Sequence, residues 1–386
     1  MKTLIDSLSY GWRMLCSRKV YLALLIVVPL AFTFFFIDMM DEGVAEKVPS
    51  AVVDLDQSEL SRKVIRNLSA SQLTDIDHKV ESFHEAVGEV RRGEIYGFFM
   101  IPADFQRDAI GGRTPTITYY CNMTYYVPGT LAFKGFKTTA VTTAGGLVQT
   151  TLVSAGINES TATALVNPVA IQQQGIGNPW MNYNYYLTNS FVPGIIALIV
   201  SIVAAYTICD EMKRGTSPEW LRRSGGSVLI ALIGKLAPQA VTAISVGLLC
   251  QAAMFGFNNF PMHCPVWHMI LAMVLMVIAS QASAVIVCSA IPNLRLAVST
   301  CSLCGILAFS LAAFSFPVEQ MYPAVGIFSY ILPVRYYFLI YIDQALNGIP
   351  LYFSRFYYIA LLVFPLVSFI GMPRLKKYLR KPFYIP

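Results

Sequence analysis

Charged residues are scarce in this sequence. Only 13% of its 386 residues are Asp, Glu, Lys or Arg, whereas a soluble domain usually carries about 25%. Hydrophobic residues make up 55% of the chain, and the mean hydropathy is +0.56. The shortage of charge argues against a purely soluble protein. The abundance of apolar residues excludes a disordered chain, which needs low hydrophobicity and high charge.

Sequence motifs of common catalytic sites are also missing. The pair Gly234-Lys235 has neither the upstream glycine nor the following hydroxyl of a Gly-x4-Gly-Lys-Ser/Thr phosphate loop. The sequence contains no His-Glu-x-x-His zinc motif and no Gly-x-Ser-x-Gly nucleophile elbow. We therefore expect no catalytic residue, no metal site and no bound cofactor, and the chain is not expected to be an enzyme.

Long apolar runs take the place of these motifs. A helix that crosses a bilayer needs about 20 apolar residues, and six runs come close to or exceed that length: 20–37, 190–209, 228–254, 266–290, 296–316 and 356–372. None of the six contains Asp or Glu. A further apolar stretch, within 318–350, is interrupted by Pro323, Pro333, Arg335 and Asp343. We expect a re-entrant hairpin of two short helices there, because non-helical backbone survives at membrane depth only when protein buries it.

Basic residues collect on one side of the predicted membrane. Cytoplasmic loops carry an excess of Lys and Arg, so both termini are predicted to be cytoplasmic, which an even number of spans also requires. The net charge of +6 follows from this topology, and no nucleic-acid partner is needed to explain it. The basic residues on that side are Lys2, Arg13, Arg18, Lys19, Lys213, Arg214, Arg222, Arg223, Arg295, Arg374, Lys376, Lys377, Arg380 and Lys381.

The segment 38–189 lies between the first two spans and is predicted to fold outside the membrane. Its pattern predicts short strands at 51–54, 73–77, 96–101 and 116–120, with helices at 58–68 and 82–90 and a third through Phe105 and Ile110. Ser58 and Ser61 are the predicted caps of the first helix, and Ser82 with Glu85 forms a predicted capping box. Longer helices are expected in 127–165. The predicted fold class is an α-helical polytopic membrane protein with an α/β extracytoplasmic domain.

Two segments on the cytoplasmic side are predicted to be helical. In the link 210–227, Ser217 is the predicted cap of a short helix whose apolar face contains Trp220 and Leu221. The link is either a short helix that docks on a cytosolic partner or only a positively charged loop. The N-terminal segment 1–19 has the stripe of an interfacial amphipathic helix, formed by Leu4, Leu8, Trp12 and Leu15.

Four polar side chains fall inside predicted spans, where such groups are functional candidates. Lys235 lies near the cytoplasmic end of its span, and we expect its ammonium group to snorkel toward water and place the helix. Gln239, Gln251 and Gln281 are expected to hold helices together by hydrogen bonds. A role in lining a translocation path is the alternative for all four.

Several stretches together resemble bacterial type-2 ATP-binding-cassette (ABC) permeases, over nearly the whole chain. In the outer segment the similar residues are Asp54-Leu-Asp-Gln-Ser58, Ser61-Arg62, Gly93 through Phe105, and Gly112. In the membrane segments they are Pro179 through Gly194, Glu211-x-x-Arg-Gly-Thr216 with Leu221, Pro333, Tyr336-Tyr337 and Gly348. The usual Glu-x-Glu-x-Gly-Thr-Leu-Glu reads Asp210-Glu-Met-Lys-Arg-Gly-Thr-Ser-Pro-Glu219 in this sequence.

The resemblance implies a permease in the inner membrane that forms a homodimer or heterodimer with a second permease. Two cytosolic ABC ATPase subunits would bind ATP and drive export of a drug, lipid, glycan or peptide, in many members with a periplasmic adaptor. The ATPase stroke would enter through the connecting helix 1–19 and the coupling segment 210–227. The implied coupling residues are Glu211, Arg214, Gly215, Thr216, Glu219, Trp220 and Leu221.

Two other classes of function stay open at the level of sequence. A receptor or scaffold could use the outer domain to bind an envelope ligand without transporting anything. A secondary transporter driven by ions would be expected to contain paired carboxylates within its spans, and the six predicted spans contain none.

Overall fold

The computed structural model describes residues 2–41, 43, 47–111, 113, 115–124, 126–166, 177–179, 182–313 and 316–381. Gly112, quoted in the family resemblance, lies outside the described residues. The chain forms two compact units. The first, called the membrane unit, contains Met1–Gly43 and Gly175–Pro386, and the second, called the inserted unit, is Val44–Gln174. The inserted unit is shorter at both ends than the predicted outer segment 38–189.

The membrane unit begins with two helices. Helix α1 spans Lys2–Ser17 and helix α2 spans Lys19–Met39, with Arg18 in an extended conformation between them. Helix α2 contains a π-helical turn at Ala23–Val27.

The inserted unit is a small α/β fold followed by helices. In chain order its elements are β1 (Val48–Asp54), α3 (Glu59–Ser69), β2 (Thr74–Lys79), α4 (Phe83–Arg92), β3 (Gly97–Ile101), α5 (Phe105–Ile110), β4 (Thr118–Cys121), α6 (Tyr126–Ser154) and α7 (Glu159–Val166). The strands form one sheet in the order β2-β1-β3-β4. Strand β1 is parallel to β2 and to β3, whereas β4 is antiparallel to β3.

Strand β1 is central because its side chains are apolar on both faces of the sheet. Val52 belongs to one hydrophobic cluster with Val64 of α3, and Val53 belongs to another with Ala86 of α4. Helices on both faces are typical of parallel strands, whose connections must cross over the sheet. The predicted strands and helices of this unit are confirmed, with bounds that move by one to three residues.

The caps of the inserted unit follow the sequence closely. Ser58 accepts a hydrogen bond from the Ser61 amide at 3.0 Å, which satisfies one of the free donors at the start of α3. Ser82 accepts one from the Glu85 amide at 3.2 Å. The Glu85 carboxylate, however, accepts from the amide of Glu81 at 3.3 Å. The expected capping box is therefore half formed, since its reciprocal bond goes one residue upstream of the cap.

The rest of the membrane unit is helical. Its elements are α8 (Asn184–Lys213), α9 (Ser217–Arg223), α10 (Val228–Phe257), α11 (Val266–Ala290), α12 (Leu294–Leu311), α13 (Pro323–Ser329), α14 (Pro333–Leu346) and α15 (Leu351–Arg380). Within the described residues, six helices are long and apolar enough to span a membrane, namely α2, α8, α10, α11, α12 and α15. Helices α13 and α14 meet at a bend of 80°. A polytopic helical membrane protein is therefore confirmed, and the bent pair α13–α14 lies where the re-entrant hairpin is predicted.

Helices α8 and α11 form the centre of this unit. In each of them 61% of the most apolar window is buried, compared with 17% in α15 and 22% in α12. The buried face of α11 alternates small and flexible side chains, such as Ala272, Met273 and Met276, which let neighbouring helices approach closely. The outer faces of α2, α12 and α15 stay uncovered by this chain.

Two helices continue well past the residues at which their predicted apolar runs stop. Helix α8 continues to Lys213, so the helix includes Asp210 and Glu211, although the predicted apolar run 190–209 contains no acidic residue. Helix α15 continues through Pro373 to Arg380. Proline removes one helical hydrogen bond, but the fully buried Leu375 and Leu379 beyond it hold the last turns in the hydrophobic core.

Candidate functional site

A buried carboxylate joins several helices at the α9 end of the membrane unit. Glu211, in the last turns of α8, is 5% exposed. Its Oε1 accepts hydrogen bonds from Lys235 Nζ at 2.6 Å and from the Tyr10 hydroxyl at 2.8 Å. Its Oε2 accepts one from the hydroxyl of Thr216. One side chain of α8 therefore contacts α1, α10 and the turn that leads into α9.

Lys235 is the cationic partner in this cluster and is completely buried. Its ammonium group also donates to the carbonyl oxygen of Thr207 at 3.1 Å, and it lies 4.1 Å from the centroid of the Trp220 ring. The prediction that Lys235 snorkels to water is wrong. Its charge is compensated inside the protein by Glu211, an arrangement that low polarity permits only with close pairing and additional hydrogen bonds.

A second ion-paired group lies one residue before Glu211. Asp210 Oδ2 is 3.1 Å from Arg18 Nη2 and 3.0 Å from Arg214 Nε. Arg18 separates α1 from α2, so the Asp210 carboxylate ties that junction to the end of α8. The two adjacent acidic residues thus have different partners.

Helix α9 is seated on the membrane unit by its apolar face. Trp220 and Leu221 are 2% and 4% exposed and pack in one hydrophobic cluster with Leu375 and Leu379. These two side chains therefore face the chain itself, and not a partner. Ser217 is the first residue of α9 and its hydroxyl donates to the Leu379 carbonyl at 3.0 Å, so the expected cap at Ser217 is wrong and Thr216 precedes the helix.

A tight turn connects α8 to α9. Gly215 has a φ of +71°, a left-handed conformation in which glycine is favoured. Its amide donates to the Met212 carbonyl at 3.2 Å, and the Thr216 amide donates to the Glu211 carbonyl at 3.0 Å. The turn exposes Arg214, Gly215 and Thr216, and α9 exposes Glu219. Of the seven predicted coupling residues, these four are exposed, although the Thr216 hydroxyl is bonded to Glu211.

Helix α1 crosses α10 with the two backbones in contact. A Cβ atom placed on Gly11 would lie 2.1 Å from the Gly234 carbonyl oxygen, and one on Gly234 would lie 2.0 Å from Ser7 Oγ. The Ser7 hydroxyl is also 3.2 Å from that of Ser224, just after α9. Trp12 of the predicted stripe is 43% exposed, because the face of α1 that packs on this chain is built on small residues.

Tyr10 was missed by the sequence analysis because it lies off the predicted stripe. It is half-buried, and burial, together with its hydrogen bond to the negative Glu211, raises the pKa of its phenol to about 12. Tyr10 therefore stays a neutral donor to Glu211 at physiological pH. In the sequence, the contact is indicated only by a tyrosine that lies outside the apolar stripe of an amphipathic helix.

Each of the three glutamines of the spans connects its own helix to at least one other helix. Gln239 Nε2 donates to Thr207 Oγ1 at 3.1 Å, which connects α10 to α8. Gln281 Nε2 donates to the Leu236 carbonyl at 3.0 Å, connecting α11 to α10. Gln251 Nε2 donates to the Met269 carbonyl at 3.0 Å and to the Tyr337 hydroxyl at 2.9 Å. All three amides therefore hold helices together.

The cluster around Glu211 contains no arrangement typical of catalysis. Its carboxylate and ammonium groups are bonded to each other, and the described residues contain no group of three or more His, Cys, Asp or Glu that could hold a metal. Hydrogen bonds and ion pairs instead connect α1, α8, α9 and α10 into one assembly. Residues of α9 and of its preceding turn therefore contact two spans directly.

The comparisons with known proteins agree with this architecture. A family model described as ABC-2 family transporter protein matches residues 19–372, which is nearly the whole chain. The comparison with curated proteins found no match. Membership of this family implies a multi-pass membrane protein that partners an ABC ATPase subunit. The chain therefore belongs to the ABC-2 family of transporter proteins and is a permease subunit of an ABC transporter.

Proposed function

We propose that this permease exports a hydrophobic or amphipathic substrate from the cytoplasm or the inner leaflet, as one half of a permease dimer in the inner membrane with both termini cytoplasmic. ATP is bound and hydrolysed on separate ATPase subunits. The observation that carries the proposal is the bonded cluster centred on Glu211, which links α9 to two spans.

The exposed face of α9 and its preceding turn is the proposed contact with the ATPase. This face presents Arg214, Gly215, Pro218, Glu219 and Arg222, all exposed. The opposite face contains the buried Trp220, so α9 is fixed to the chain on one side and open on the other. Force applied to the open face reaches α8 through Thr216 and α10 through the ring of Trp220 against Lys235.

The uncovered faces of the outer spans support a dimer. Helices α12 and α15 expose large apolar side chains such as Leu303, Ile306 and Phe356. Either lipid or the apolar surface of a second permease can cover these faces and keep their side chains away from water. The apolar character of the spans favours a cargo that is itself at least partly apolar.

The test reconstitutes the chain with its ABC ATPase subunit. Reversing the charges of the outward face, with Glu219→Lys and Arg222→Glu together, should reduce ATPase stimulation and dye export from inverted vesicles at least about tenfold, since like charges brought together across an interface cost several kcal/mol. The ATPase rate and the export of a lipophilic fluorescent dye are measured on the same vesicles.

Glu59→Lys on α3 is the matched control, because Glu59 is also an exposed acid in the first turn of a helix. It should leave both activities unchanged. An unaltered ATPase stimulation in the double variant would rule out α9 as the contact. Failure of the ATPase to associate with the wild-type chain at all would refute the proposed ATP-driven export and favour a receptor or scaffold.

A further inference from the structure

The hairpin α13–α14 contains a buried cation without an anion. Arg335, in the first turn of α14, is 6% exposed, and its Nε and Nη1 atoms have no hydrogen-bond partner among the described residues. None of the ion pairs within the described ranges includes it. Asp343 of the same helix accepts a hydrogen bond from the Ser354 hydroxyl at 3.2 Å instead.

A guanidinium group in this position is expensive to leave unpaired. It carries five N–H donors, and burying a charge without hydrogen bonds or a counter-ion is strongly unfavourable. Among the described residues, the ring of Tyr330 partly offsets the cost of burying this charge, since its centroid lies 5.1 Å from Arg335 Cζ. A cation–π contact attracts the charge, but it leaves the N–H groups at Nε and Nη1 without acceptors.

The same hairpin forms one wall of an apolar pocket. The pocket has a volume of about 530 Å³, within the range of about 300–1,000 Å³ that is typical of small-ligand sites. Its other walls come from α8, α11, α12 and α15, through side chains such as Leu198, Val287, Ala308 and Val363. Because these four helices are long and apolar enough to span a membrane, lipid acyl chains are expected to have access to the pocket.

The cation and the pocket adjoin each other. Val334 and Tyr336, the neighbours of Arg335 in the chain, both line the pocket, and so does Tyr330, the ring that lies against the guanidinium. The Tyr336 hydroxyl donates to the Tyr330 carbonyl at 2.8 Å, which holds the two aromatic residues together at this wall. Arg335 itself does not line the cavity, but the ring of Tyr330 lies between the cavity and a guanidinium group whose Nε and Nη1 have no hydrogen-bond partner among the described residues.

We propose that the pocket and Arg335 form a binding site for an amphiphile with an apolar chain and an anionic carboxylate or phosphate head. The chain of the amphiphile occupies the pocket, and the head accepts hydrogen bonds from the guanidinium, whose planar fork matches both kinds of anion. The source is either a phospholipid of the bilayer or a free amphiphile such as a fatty acid. Binding at this site requires neither ATPase activity nor transport. A negative binding result would therefore refute this proposal without refuting the proposed function.

The experiment measures binding of a fluorescent palmitate analogue to the full-length chain in nanodiscs of phosphatidylcholine. Competitors are palmitate, hexadecanol, phosphatidylglycerol and inorganic phosphate. Palmitate should displace the probe at least about tenfold more strongly than hexadecanol, because hydrogen bonds to a charged group are among the strong ones. Inorganic phosphate, which has no chain, should not displace it. Displacement by phosphatidylglycerol as well assigns the site to bilayer lipid, and displacement by palmitate alone assigns it to a free amphiphile.

Two pairs of variants locate the site. Arg335→Gln should weaken probe binding about tenfold or more, whereas Arg355→Gln should not, because Arg355 is an exposed arginine stacked 3.8 Å over Tyr352. Val363→Trp, which fills the pocket, should abolish binding. Leu362→Trp, the adjacent exposed residue outside the pocket lining, should leave it unchanged.

The proposal is overturned if Arg335→Gln binds the probe like the wild type, or if hexadecanol competes as well as palmitate. If Arg335→Gln does not give a monodisperse protein, Arg335→Lys replaces it, and partial retention of binding is expected because the charge remains without the fork. Equal binding by Val363→Trp and Leu362→Trp would also overturn it, whatever the behaviour of the arginine variants.

Discussion

At the scale of the residue, the pairing of Glu211 with Lys235 controls the architecture around α9. The Lys235 ammonium has two oxygen acceptors and an aromatic ring around it, and the Glu211 carboxylate accepts three hydrogen bonds. Each charge is tolerable only because the other is present, since an isolated buried charge is far less stable than a paired one. The pair is therefore expected to specify which helices meet, more than to add stability over an apolar core.

Removing one member of this pair should destabilise the protein. Glu211→Gln leaves the Lys235 charge buried without its counter-ion, so unfolding in detergent should become easier by about 3–5 kcal/mol. The double variant Glu211→Leu with Lys235→Met should recover most of that loss, because no uncompensated charge remains. Unfolding curves for the wild type, the single variants and the double variant provide the measurement.

Glu219→Gln is the matched control for this prediction. Glu219 Oε1 pairs with Arg223 Nη2 at 2.7 Å, but both side chains are about half exposed, at 51% and 53%. Exposed pairs contribute at most about 1 kcal/mol, so this variant should unfold close to the wild type. Equal destabilisation by Glu211→Gln and Glu219→Gln would show that the Glu211 pair is not buried.

At the scale of the element, the crossing of α1 over α10 depends on two glycines. Gly11 and Gly234 bring the helix backbones together, and the hydroxyl of Ser7 then reaches both Ser224 and the Ile230 carbonyl, each at 3.2 Å. Helix α1 is thereby held by small residues, while larger apolar side chains such as Trp12 remain outside. This arrangement makes the position of α1 sensitive to a single methyl group.

Gly234→Ala should displace α1 from its crossing. The added Cβ would lie 2.0 Å from Ser7 Oγ and 2.8 Å from its backbone carbon, a distance that requires the helix to move. Hydrogen exchange at residues 2–17 should therefore rise relative to the wild type. Gly256→Ala on the same helix is the control, because nothing lies within 4 Å of its Cβ position, and exchange in α1 should be unchanged. An equal response to both variants would contradict the close crossing.

At the scale of the whole molecule, the spans fix which segments share a side of the membrane. Helix α9 joins two consecutive spans, α8 and α10, whereas the inserted unit follows α2 and precedes α8. If α2 and α8 each cross the bilayer once, the inserted unit and α9 must lie on opposite sides. The excess of Lys and Arg around α9 predicts that its side is the cytoplasm.

Labelling of single cysteines checks this arrangement. In a background with serine at the four native cysteines that are not buried, Cys16, Cys121, Cys264 and Cys304, Asn158→Cys in the inserted unit should react with a membrane-impermeant maleimide on intact cells. Arg222→Cys should react only after permeabilisation, because the bilayer shields it. Both positions are exposed, so access and not burial decides the result. Reaction of both cysteines on intact cells would refute the six-span topology.

Local sequence signals predicted most elements of the fold, because each depends on neighbours in the chain. Residues close together in the chain determine the caps at Ser58 and Ser82, the strands of the sheet and the apolar runs. The extension of α15 past Pro373 could not be predicted in this way, because local preference favours a stop there. Buried contacts of Leu375 and Leu379 with α9 overcome that preference.

The candidate site was predicted only in part. Glu211, Trp220 and Lys235 were all identified as functional candidates, but as separate features in the coupling segment and a span. Tyr10 and Glu211 are separated by 201 positions in the chain, and Glu211 and Lys235 by 24. Periodicity indicates which face of a helix is apolar, but it does not specify which neighbouring helix that face meets.

By itself, the sequence determined the six long apolar helices, the interrupted apolar stretch before the last of them and the α/β character of the inserted unit, since hydropathy and local propensity act over short distances. Only the tertiary structure decided that Lys235 is neutralised within the protein, that Trp220 faces inward and that Arg335 is buried beside an apolar pocket. These outcomes depend on the packing of helices that are distant in the chain, and the energy of a buried charge depends on what that packing places next to it.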